Sequence, residues 1–248
     1  DGPGVVEFNG TTGARVGAGA FVPYTGNADS VINPQGMRFG PSGNLYIADV
    51  TNSEVHIFSS TGTSLGTLTG DNVVQPTDVA FDASGNLYVV SGQGIGVSAG
   101  ASVPFVDFVS TGTAATIGMN NPKGLAFASD GKLYVTDVQS DKIFLFDANG
   151  TFDSVFANLD TVTGGIFTPA YLTFGPNGDL YVSGTGELSG EIIGFHNGTY
   201  DGVLVTGLNN PGSLAFTPDA VPEPSTWILP AILAGLIGVG RRRKRQKA

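Results

Sequence analysis

The chain has 248 residues and no cysteine, which excludes disulfide bonds and thiol chemistry. Residues 1–220 carry five Lys and Arg against 20 Asp and Glu, a net charge of −15, whereas residues 221–248 carry six against one, a net charge of +5. An acidic body repels phosphate groups, so the composition argues against nucleic acid as a partner.

The body repeats one pattern. Each unit has a proline, an apolar stretch that ends in Phe, a turn with glycine and a run that begins Leu-Tyr; the four units include residues 33–47, 75–89, 121–135 and 168–182. The unit prolines are spaced by 42, 46, 47 and 42 residues and are Pro34, Pro76, Pro122, Pro169 and Pro211. A period in the 40s with several short strands predicts an all-β propeller, and no amphipathic helical pattern competes with it.

The third unit shows the strands that we predict for a blade. From the innermost outwards they are residues 124–127, 133–135, 143–146 and 152–156, separated by turns with glycine. One phenylalanine stands five residues after each unit's proline, which predicts that these side chains are buried equivalents between blades: Phe39, Phe81, Phe127, Phe174 and Phe216.

The two ends of the repeat complement each other. Residues 5–13 match a third strand and its hairpin, residues 15–22 supply an outer strand, and residues 210–216 open a fifth unit that stops before its second strand. Together they predict one composite blade and a ring of about five blades without an exposed edge. The chain starts at Asp1 without Met, and if residues before it were lost, the ring has six blades or more.

The pattern P-x-G-hydrophobic-x-F…G-x-L-Y-V-x-D, spread over residues 5–216, resembles NHL-type repeats and the propellers that include gluconolactonase-like enzymes. That resemblance implies the fold, and it offers one alternative function, a secreted metal-dependent lactonase or hydrolase. Such enzymes hold a divalent metal with acidic and Asn side chains from several blades. No such set maps onto this chain, whose Glu7, Glu54, Glu187 and Glu191 we predict to face solvent. We therefore favour a propeller without enzymatic activity.

Two aspartates are candidates for binding at the rim of the propeller. Asp49 and Asp137 directly follow the predicted second strands of the first and third units. The competing interpretation is that each carboxylate bonds the backbone of the next turn. Ser91 and Gly184 occupy the equivalent positions in the other units, so no ring of carboxylates forms. We predict no cofactor, and the acidic turn 137–141 leaves weak Ca²⁺ binding open.

No catalytic residue is predicted. His56 lies inside a strand and His196 at a turn, and the sequence pairs neither with a nucleophile or carboxylate. Ser98 stands in a G-x-S-x-G sequence, residues 96–100, but that motif needs a strand-to-helix turn, which we do not predict here.

The last 28 residues form a separate signal. After Pro222, Glu223 and Pro224 comes an apolar run, residues 226–240, which as a helix at about 1.5 Å per residue is short against the ~30 Å hydrocarbon core. Five cations follow it and should remain cytoplasmic as a stop-transfer signal: Arg241, Arg242, Arg243, Lys244 and Arg245.

This arrangement resembles the PEP-CTERM sorting signal of exported bacterial proteins; the simpler alternative is a plain C-terminal tail anchor. The resemblance implies recognition by an exosortase, cleavage near the Pro-Glu-Pro motif, and attachment to exopolysaccharide, a surface protein or a biofilm matrix. We predict a propeller over residues 1–219, a spacer over 220–225 and a transmembrane anchor with a basic tail over 226–248. The propeller would be a binding or scaffolding module at the cell surface, or a purely structural matrix component.

Overall fold

The body of the protein is an all-β propeller. A computed structural model describes residues 5–6, 20–22, 30–92, 94–102, 104–187 and 189–214. These residues form four antiparallel sheets of four strands each, and in each sheet the strands follow one another in chain order. The chain divides into two compact units, residues 1–215 and 216–248, and the second lies outside the described residues.

The first two blades use residues 34–109. Blade 1 consists of β1 (Pro34–Phe39), β2 (Leu45–Asp49), β3 (Glu54–Phe58) and β4 (Ser64–Leu68). Blade 2 consists of β5 (Pro76–Phe81), β6 (Leu87–Ser91), β7 (Gly94–Ser98) and β8 (Val106–Val109). Every residue of β2 and β6 is buried, as expected for second strands that neighbouring sheets cover on both faces.

The other two blades use residues 122–208. Blade 3 consists of β9 (Pro122–Phe127), β10 (Leu133–Asp137), β11 (Lys142–Phe146) and β12 (Phe152–Asn158). Blade 4 consists of β13 (Phe167–Phe174), β14 (Leu180–Gly186), β15 (Gly190–His196) and β16 (Thr199–Leu208). The four predicted strands of the third unit are confirmed, with observed strands slightly longer than predicted.

Glycine turns join the strands where the sequence predicted them. Between β9 and β10, the Ala128 amide donates to the Lys132 carbonyl over 2.9 Å, and Gly131 between them has a φ of +84°. A residue with a Cβ adopts that angle only at a cost, so glycine at this position favours the reversal. Gly150 repeats the arrangement between β11 and β12 with a φ of +83°.

Two short helices lie in the connections between blades, where the sequence predicted none. α1 (Thr111–Ile117) follows blade 2, and the Ser110 side chain caps it by accepting the Thr113 amide. α2 (Leu159–Thr163) follows blade 3. With seven and five residues, neither is long enough to show the amphipathic periodicity that a sequence window detects. No helix in the described part of the chain has the length and apolarity that crossing a membrane requires.

Neighbouring blades are joined by a repeated pair of aromatic rings. The second-strand tyrosine of one blade contacts the inner-strand phenylalanine of the next, edge to face, with centroid distances of 4.7–5.1 Å. The pairs are Tyr46–Phe81, Tyr88–Phe127 and Tyr134–Phe174. Such contacts contribute about 0.5–1.5 kcal/mol each beyond the area that they bury.

The prediction for the inner-strand phenylalanines is confirmed only in part. Phe81, Phe127 and Phe174 lie between blades but are half-buried. The prediction is wrong for Phe39, which is 61% exposed since no described second strand covers it. Phe216 lies outside the described residues.

Described residues at both ends of the body contact the outermost of the four blades. Val5 and Val22 form an antiparallel bridge, with backbone hydrogen bonds of 3.1 Å in both directions. Val22 is buried with Val31 and Phe58 against blade 1. At the other end, the Ser183 hydroxyl of blade 4 donates to the Gly212 carbonyl over 2.8 Å. Other strands of the predicted fifth blade, and the anchor at 226–248, lie outside the described residues.

Candidate functional site

Asp49 is a buried backbone anchor at the end of β2. Its carboxylate accepts the amides of Ile32 and Asn33, which lead into blade 1, over 2.6 and 3.3 Å. It also accepts the amides of Thr51 and Asn52 in the following turn over 3.0 and 3.2 Å. The aspartate therefore joins the start of the inner strand to the turn after the second strand.

Asp137 repeats this role in blade 3. Its carboxylate accepts the amides of Asn120 and Asn121 over 2.8 and 2.6 Å, and both the amide and the hydroxyl of Ser140. In blade 2 the equivalent Ser91 makes the corresponding link with one bond, to the Val74 carbonyl. These contacts match the interpretation of an aspartate that bonds the backbone. A binding role for Asp49 and Asp137, and Ca²⁺ binding by turn 137–141, stay predictions.

The structure places His56 beside two carboxylates, a grouping that the sequence analysis missed. Its Nε2 lies 3.4 Å from Asp49 and 3.3 Å from Glu54, and the His56 side chain is 1% exposed. The prediction of a solvent-facing Glu54 is wrong, since that side chain is 13% exposed. β2 and β3 are paired in register at 49 and 54, which explains the proximity. This grouping depends on the pairing register of β2 and β3, which cannot be read from the sequence.

The remaining predicted non-catalytic residues are held by local contacts. His196 is a surface residue at the end of β15, and its Nδ1 lies 2.8 Å from the carboxylate of Asp179, which directly precedes β14. Ser98 is buried at the end of β7, where its hydroxyl accepts the Ser102 amide over 2.9 Å. No group of three or more His, Asp or Glu side chains that could hold a metal was found among the residues that the structure describes.

A polar group at the centre of the propeller, which the sequence analysis missed, brings together side chains from all four inner strands. We call Gln35, Asp78, Lys123 and Tyr171 the axial cluster. The Gln35 side-chain oxygen accepts the Lys123 ammonium over 2.7 Å and the Tyr171 hydroxyl over 3.1 Å. The Lys123 ammonium also lies 5.4 Å from the centre of the Tyr171 ring. Blades 1 and 3 are not neighbours, so the Gln35–Lys123 contact crosses the middle of the ring.

Irregular pairing at the start of each inner strand positions the axial cluster. The registers of β1, β5, β9 and β13 with their neighbours all shift just after the unit proline. A shift of this kind turns a side chain away from the regular alternation of a strand. The cluster residues stand one or two positions after those prolines, which is the sequence signal that could have identified them.

Asp78 is the buried charge of the axial cluster. Its oxygens accept the Val79 and Leu125 amides over 2.9 and 3.1 Å. Burial raises the pKa of Asp78 to about 6, although Arg38 and Lys123 oppose the rise. Burial in turn lowers the pKa of Lys123, and the Asp78 carboxylate offsets part of that decrease.

Close packing around Asp78 requires a glycine on the neighbouring strand. A Cβ at Gly36 would overlap the Asp78 carboxylate. The axial cluster thus combines one cation, Lys123, one buried carboxylate, Asp78, and the neutral side chains of Gln35 and Tyr171, one from each of the four inner strands. That arrangement holds the inner strands together and leaves the side chains of Lys123 and Gln35 partly exposed.

A groove beside blade 1 reaches from the axial cluster towards the rim. We call it the blade-1 groove; its volume is about 660 Å³, and its walls include Val5, Phe21, Met37, Phe39 and Leu214, with Gln35 at the inner end. Volumes of about 300–1,000 Å³ are usual for binding sites. Met37 and Phe39 are 37% and 61% exposed there.

Comparison with solved structures gives the class of protein, a β-propeller. A chain of a nidogen–laminin complex is matched with a TM-score of 0.58 at 21% identity, covering 73% of this chain and 67% of that chain. A virginiamycin B lyase from Staphylococcus aureus is matched with a TM-score of 0.55 at 16% identity, covering 74% of this chain and 60% of that chain. A putative gluconolactonase is matched with a TM-score of 0.53 at 18% identity, covering 68% of this chain and 63% of that chain. The chain spans 60–67% of the length of these structures, and identities this low show the fold alone.

A second comparison identifies the tail. Residues 220–245 match the PEP-CTERM protein-sorting motif, as the sequence predicted. The protein is thus a β-propeller with a C-terminal signal that implies export, association with the cell envelope and processing by an exosortase. No curated protein matches the sequence.

Proposed function

We propose that this is a cell-surface or extracellular-matrix protein whose propeller binds a partner or serves as a scaffold after the tail has delivered it. The observation that carries the proposal is the combination of a sorting motif at residues 220–245 with a propeller body. The cell-surface polysaccharide or a surface protein would be the partner of the body, and the exosortase that of the tail.

The charge distribution supports this division of roles. The acidic body, with a net charge of −15, does not adhere to an anionic membrane by itself, so retention would depend on the tail. Residues 226–240 would insert as a short anchor, and the cations from Arg241 to Arg245 would hold its end in the cytoplasm. Cleavage near Pro222–Pro224 would then release the body. We place the boundaries at 1–219, 220–225 and 226–248.

We further propose that the body closes as a ring of five blades through a composite blade. The Val5–Val22 bridge corresponds to the pairing of Ile95 with Val109 between the third and fourth strands of blade 2. Gly62 in blade 1 packs under the Phe21 carbonyl in the same way that Gly150 in blade 3 packs under the Phe108 carbonyl. Residues 20–22 therefore take the place of an outer strand before blade 1.

The other end supports the same closure. The Thr136 hydroxyl of blade 3 donates to the Ala170 carbonyl of blade 4 over 2.7 Å. Ser183, which replaces Thr136 in blade 4, donates in the same way to Gly212, the residue that replaces Ala170. The fifth inner strand thus begins against blade 4 with the spacing that joins blades 3 and 4.

No observation favours the lactonase alternative. Its metal would need several acidic or Asn side chains at the channel, and the axial cluster offers a single carboxylate, Asp78, whose oxygens already accept two backbone amides. The likeness to a putative gluconolactonase is at 18% identity and concerns the fold.

The sorting step can be tested in a bacterium that contains an exosortase. Replacing Pro222, Glu223 and Pro224 by alanine should leave a longer form in the membrane fraction, whereas the wild-type body should leave that fraction. The matched control replaces residues 217–219, just outside the matched motif, and should behave as wild type. Equal processing of the two variants would contradict the proposal.

A further inference from the structure

The Asn-Gly turns of the described residues differ in whether the glycine amide is hydrogen-bonded. There are three such pairs, at 149–150, 177–178 and 197–198. The Gly150 amide donates to the Asp147 carbonyl over 3.1 Å, and the Gly178 amide donates to the Gly175 carbonyl over 2.9 Å. The Gly198 amide has no acceptor within the described part of the chain and lies at an exposed turn. Of the three nitrogens, that of Gly198 is therefore the one that can react with the preceding side chain.

Asn197 and Gly198 form the tip of the hairpin between β15 and β16. Their φ angles of +49° and +77° are those of a two-residue hairpin turn in which both residues are left-handed. Residues 196–199 are all exposed, and β16 is the outer strand of blade 4. Because this tip is exposed and belongs to an edge strand, a rotation that brings the Asn197 side-chain carbon to the Gly198 nitrogen meets little resistance.

A carboxylate and an imidazole hold the side-chain amide of Asn197. Nδ1 of His196 lies 2.8 Å from Asp179 Oδ1, and Nε2 lies 2.9 Å from Asn197 Nδ2. An amide nitrogen only donates, so Nε2 is the acceptor in this contact and the ring proton is on Nδ1, where it faces the carboxylate. A carboxylate that orients an imidazole and leaves its other nitrogen unprotonated is the arrangement of a general base.

The other two Asn-Gly pairs have no such base. The Asn177 side-chain amide donates to Asp179 instead of to an imidazole. The chain has two histidines, and the one besides His196 lies on β3 in blade 1, far from the hairpin of blade 3 that contains Asn149. The three pairs thus share one dipeptide and differ in their surroundings.

We propose that Asn197 is a site of spontaneous deamidation, in which His196 acts as the base and Asp179 positions it. The Gly198 nitrogen attacks the Asn197 side-chain carbonyl carbon and forms a cyclic succinimide. The proton that this nitrogen loses passes to His196 Nε2, directly or through a water. From there it passes to Asn197 Nδ2, which leaves as ammonia when its bond to carbon breaks. Water, the only co-reactant, then opens the ring to aspartate or isoaspartate.

The product changes the outer hairpin of blade 4. It carries a carboxylate in place of an amide that donates to His196, which adds negative charge to a body whose net charge is already −15. In isoaspartate the chain also runs through the side-chain methylene, which lengthens the backbone of the turn. The change therefore accumulates with the age of the protein. This inference goes beyond the proposed binding role and depends neither on it nor on the sorting step.

The three Asn-Gly pairs of one sample provide the test and its controls. The full chain in detergent is kept at neutral pH, and its chymotryptic peptides are followed by mass spectrometry, in which conversion of Asn to Asp adds about one mass unit. We expect Asn197 to convert on the order of tenfold faster than Asn149 and Asn177, because an exposed base contributes less than one in an enclosed active site.

Two positions beside Asn197 test the roles of the imidazole and the carboxylate. His196→Gln, which keeps a polar side chain but removes the base, should slow conversion at Asn197 on the order of tenfold and leave Asn149 and Asn177 unchanged. Asp179→Asn should slow it as well, and Asp179→Glu should restore part of the rate. If Asp179 only stiffened the hairpin, Asp179→Asn would instead speed conversion. Thermal melts confirm that each variant is folded.

Three results would overturn the proposal. The first is an equal rate at Asn149, Asn177 and Asn197, and the second is an unchanged rate at Asn197 in His196→Gln. The third is a preference for Asn197 that persists in urea, since this would trace it to the local sequence and not to the folded hairpin. Faster conversion in Asp179→Asn would contradict the role given to Asp179.

Discussion

Blade 1 and blade 3 share one sequence pattern but differ in what covers their inner strands. In blade 3, Phe127 contacts Tyr88 of the preceding blade at 4.7 Å, while in blade 1 Phe39 stands in the same position and is 61% exposed. The polar anchors Asp49 and Asp137, in contrast, are fully buried in both blades. Contacts within a blade therefore depend on the repeat alone, whereas contacts between blades depend on the neighbour, as in other repeat proteins.

The largest expected effect concerns the buried aspartates, the feature that blades 1 and 3 share. Asp49→Ala and Asp137→Ala each remove a buried carboxylate that accepts four hydrogen bonds, so each should lower the free energy of unfolding by about 4 kcal/mol. The two losses should agree within about 1 kcal/mol, because each carboxylate stands at the same position of its blade and accepts the same number of hydrogen bonds. Denaturant melts of both variants measure this. Ser91→Ala, which removes a single bond, is the control and should cost about 1 kcal/mol.

A much smaller loss for Asp49→Ala than for Asp137→Ala would show that blade 1 is loosely packed throughout. The difference between the blades would then not be confined to the interface, and the comparison would fail.

The next effect concerns the inner-strand phenylalanines, whose exposure differs between blades 1 and 3. Phe127→Ala should lower the free energy of unfolding by about 3 kcal/mol, the lower end for an aromatic truncation, since the ring is half-buried. Phe39→Ala, the matched variant in blade 1, should cost under about 1 kcal/mol because most of its ring faces solvent. Equal losses in denaturant melts would mean that Phe39 is covered in solution.

A third effect concerns Asp78, which joins blade 2 to its neighbours. Burial raises its pKa from the ordinary value of 3.8 to about 6, so between those pH values the folded state binds more protons than the unfolded chain. The stability that comes from protonating Asp78 in the folded state is therefore present at low pH and is lost as the pH rises through 6. The free energy of unfolding falls by about 3 kcal/mol at most over this range.

The variant Asp78→Asn isolates this contribution. The free energy of unfolding of each protein is measured in denaturant melts at about pH 4.5 and about pH 7.5. The value for wild type minus the value for the variant should fall with rising pH, because the other carboxylates titrate alike in both proteins. A difference that is independent of pH would contradict the pKa given for Asp78.

The sequence predicted the repeat well because its signals are local. Proline, the glycine turns and the Leu-Tyr-Val runs each act within a few residues, and the strands of blade 3 lie where these signals placed them. The tail was identified for the same reason, since Pro222–Pro224, the apolar run and the cations follow one another directly.

The candidate sites were less accessible to sequence reasoning because they depend on distant residues. The axial cluster joins Gln35 to Tyr171, 136 positions apart. The unit prolines mark the irregular start of each inner strand, but they do not show which side chains meet there. The exposure of Phe39 likewise depends on a neighbouring blade and not on its own unit. Even the placement of His56 beside Glu54 and Asp49 follows from strand register.

The central claim, a propeller delivered and then released by its tail, is tested most directly by the intact mass of the wild-type protein recovered from the surface of a host with an exosortase. We predict a C-terminus near Pro222–Pro224, without the apolar run and the cations. A mass that includes every residue to Ala248 would contradict this claim and make the last 28 residues a plain tail anchor.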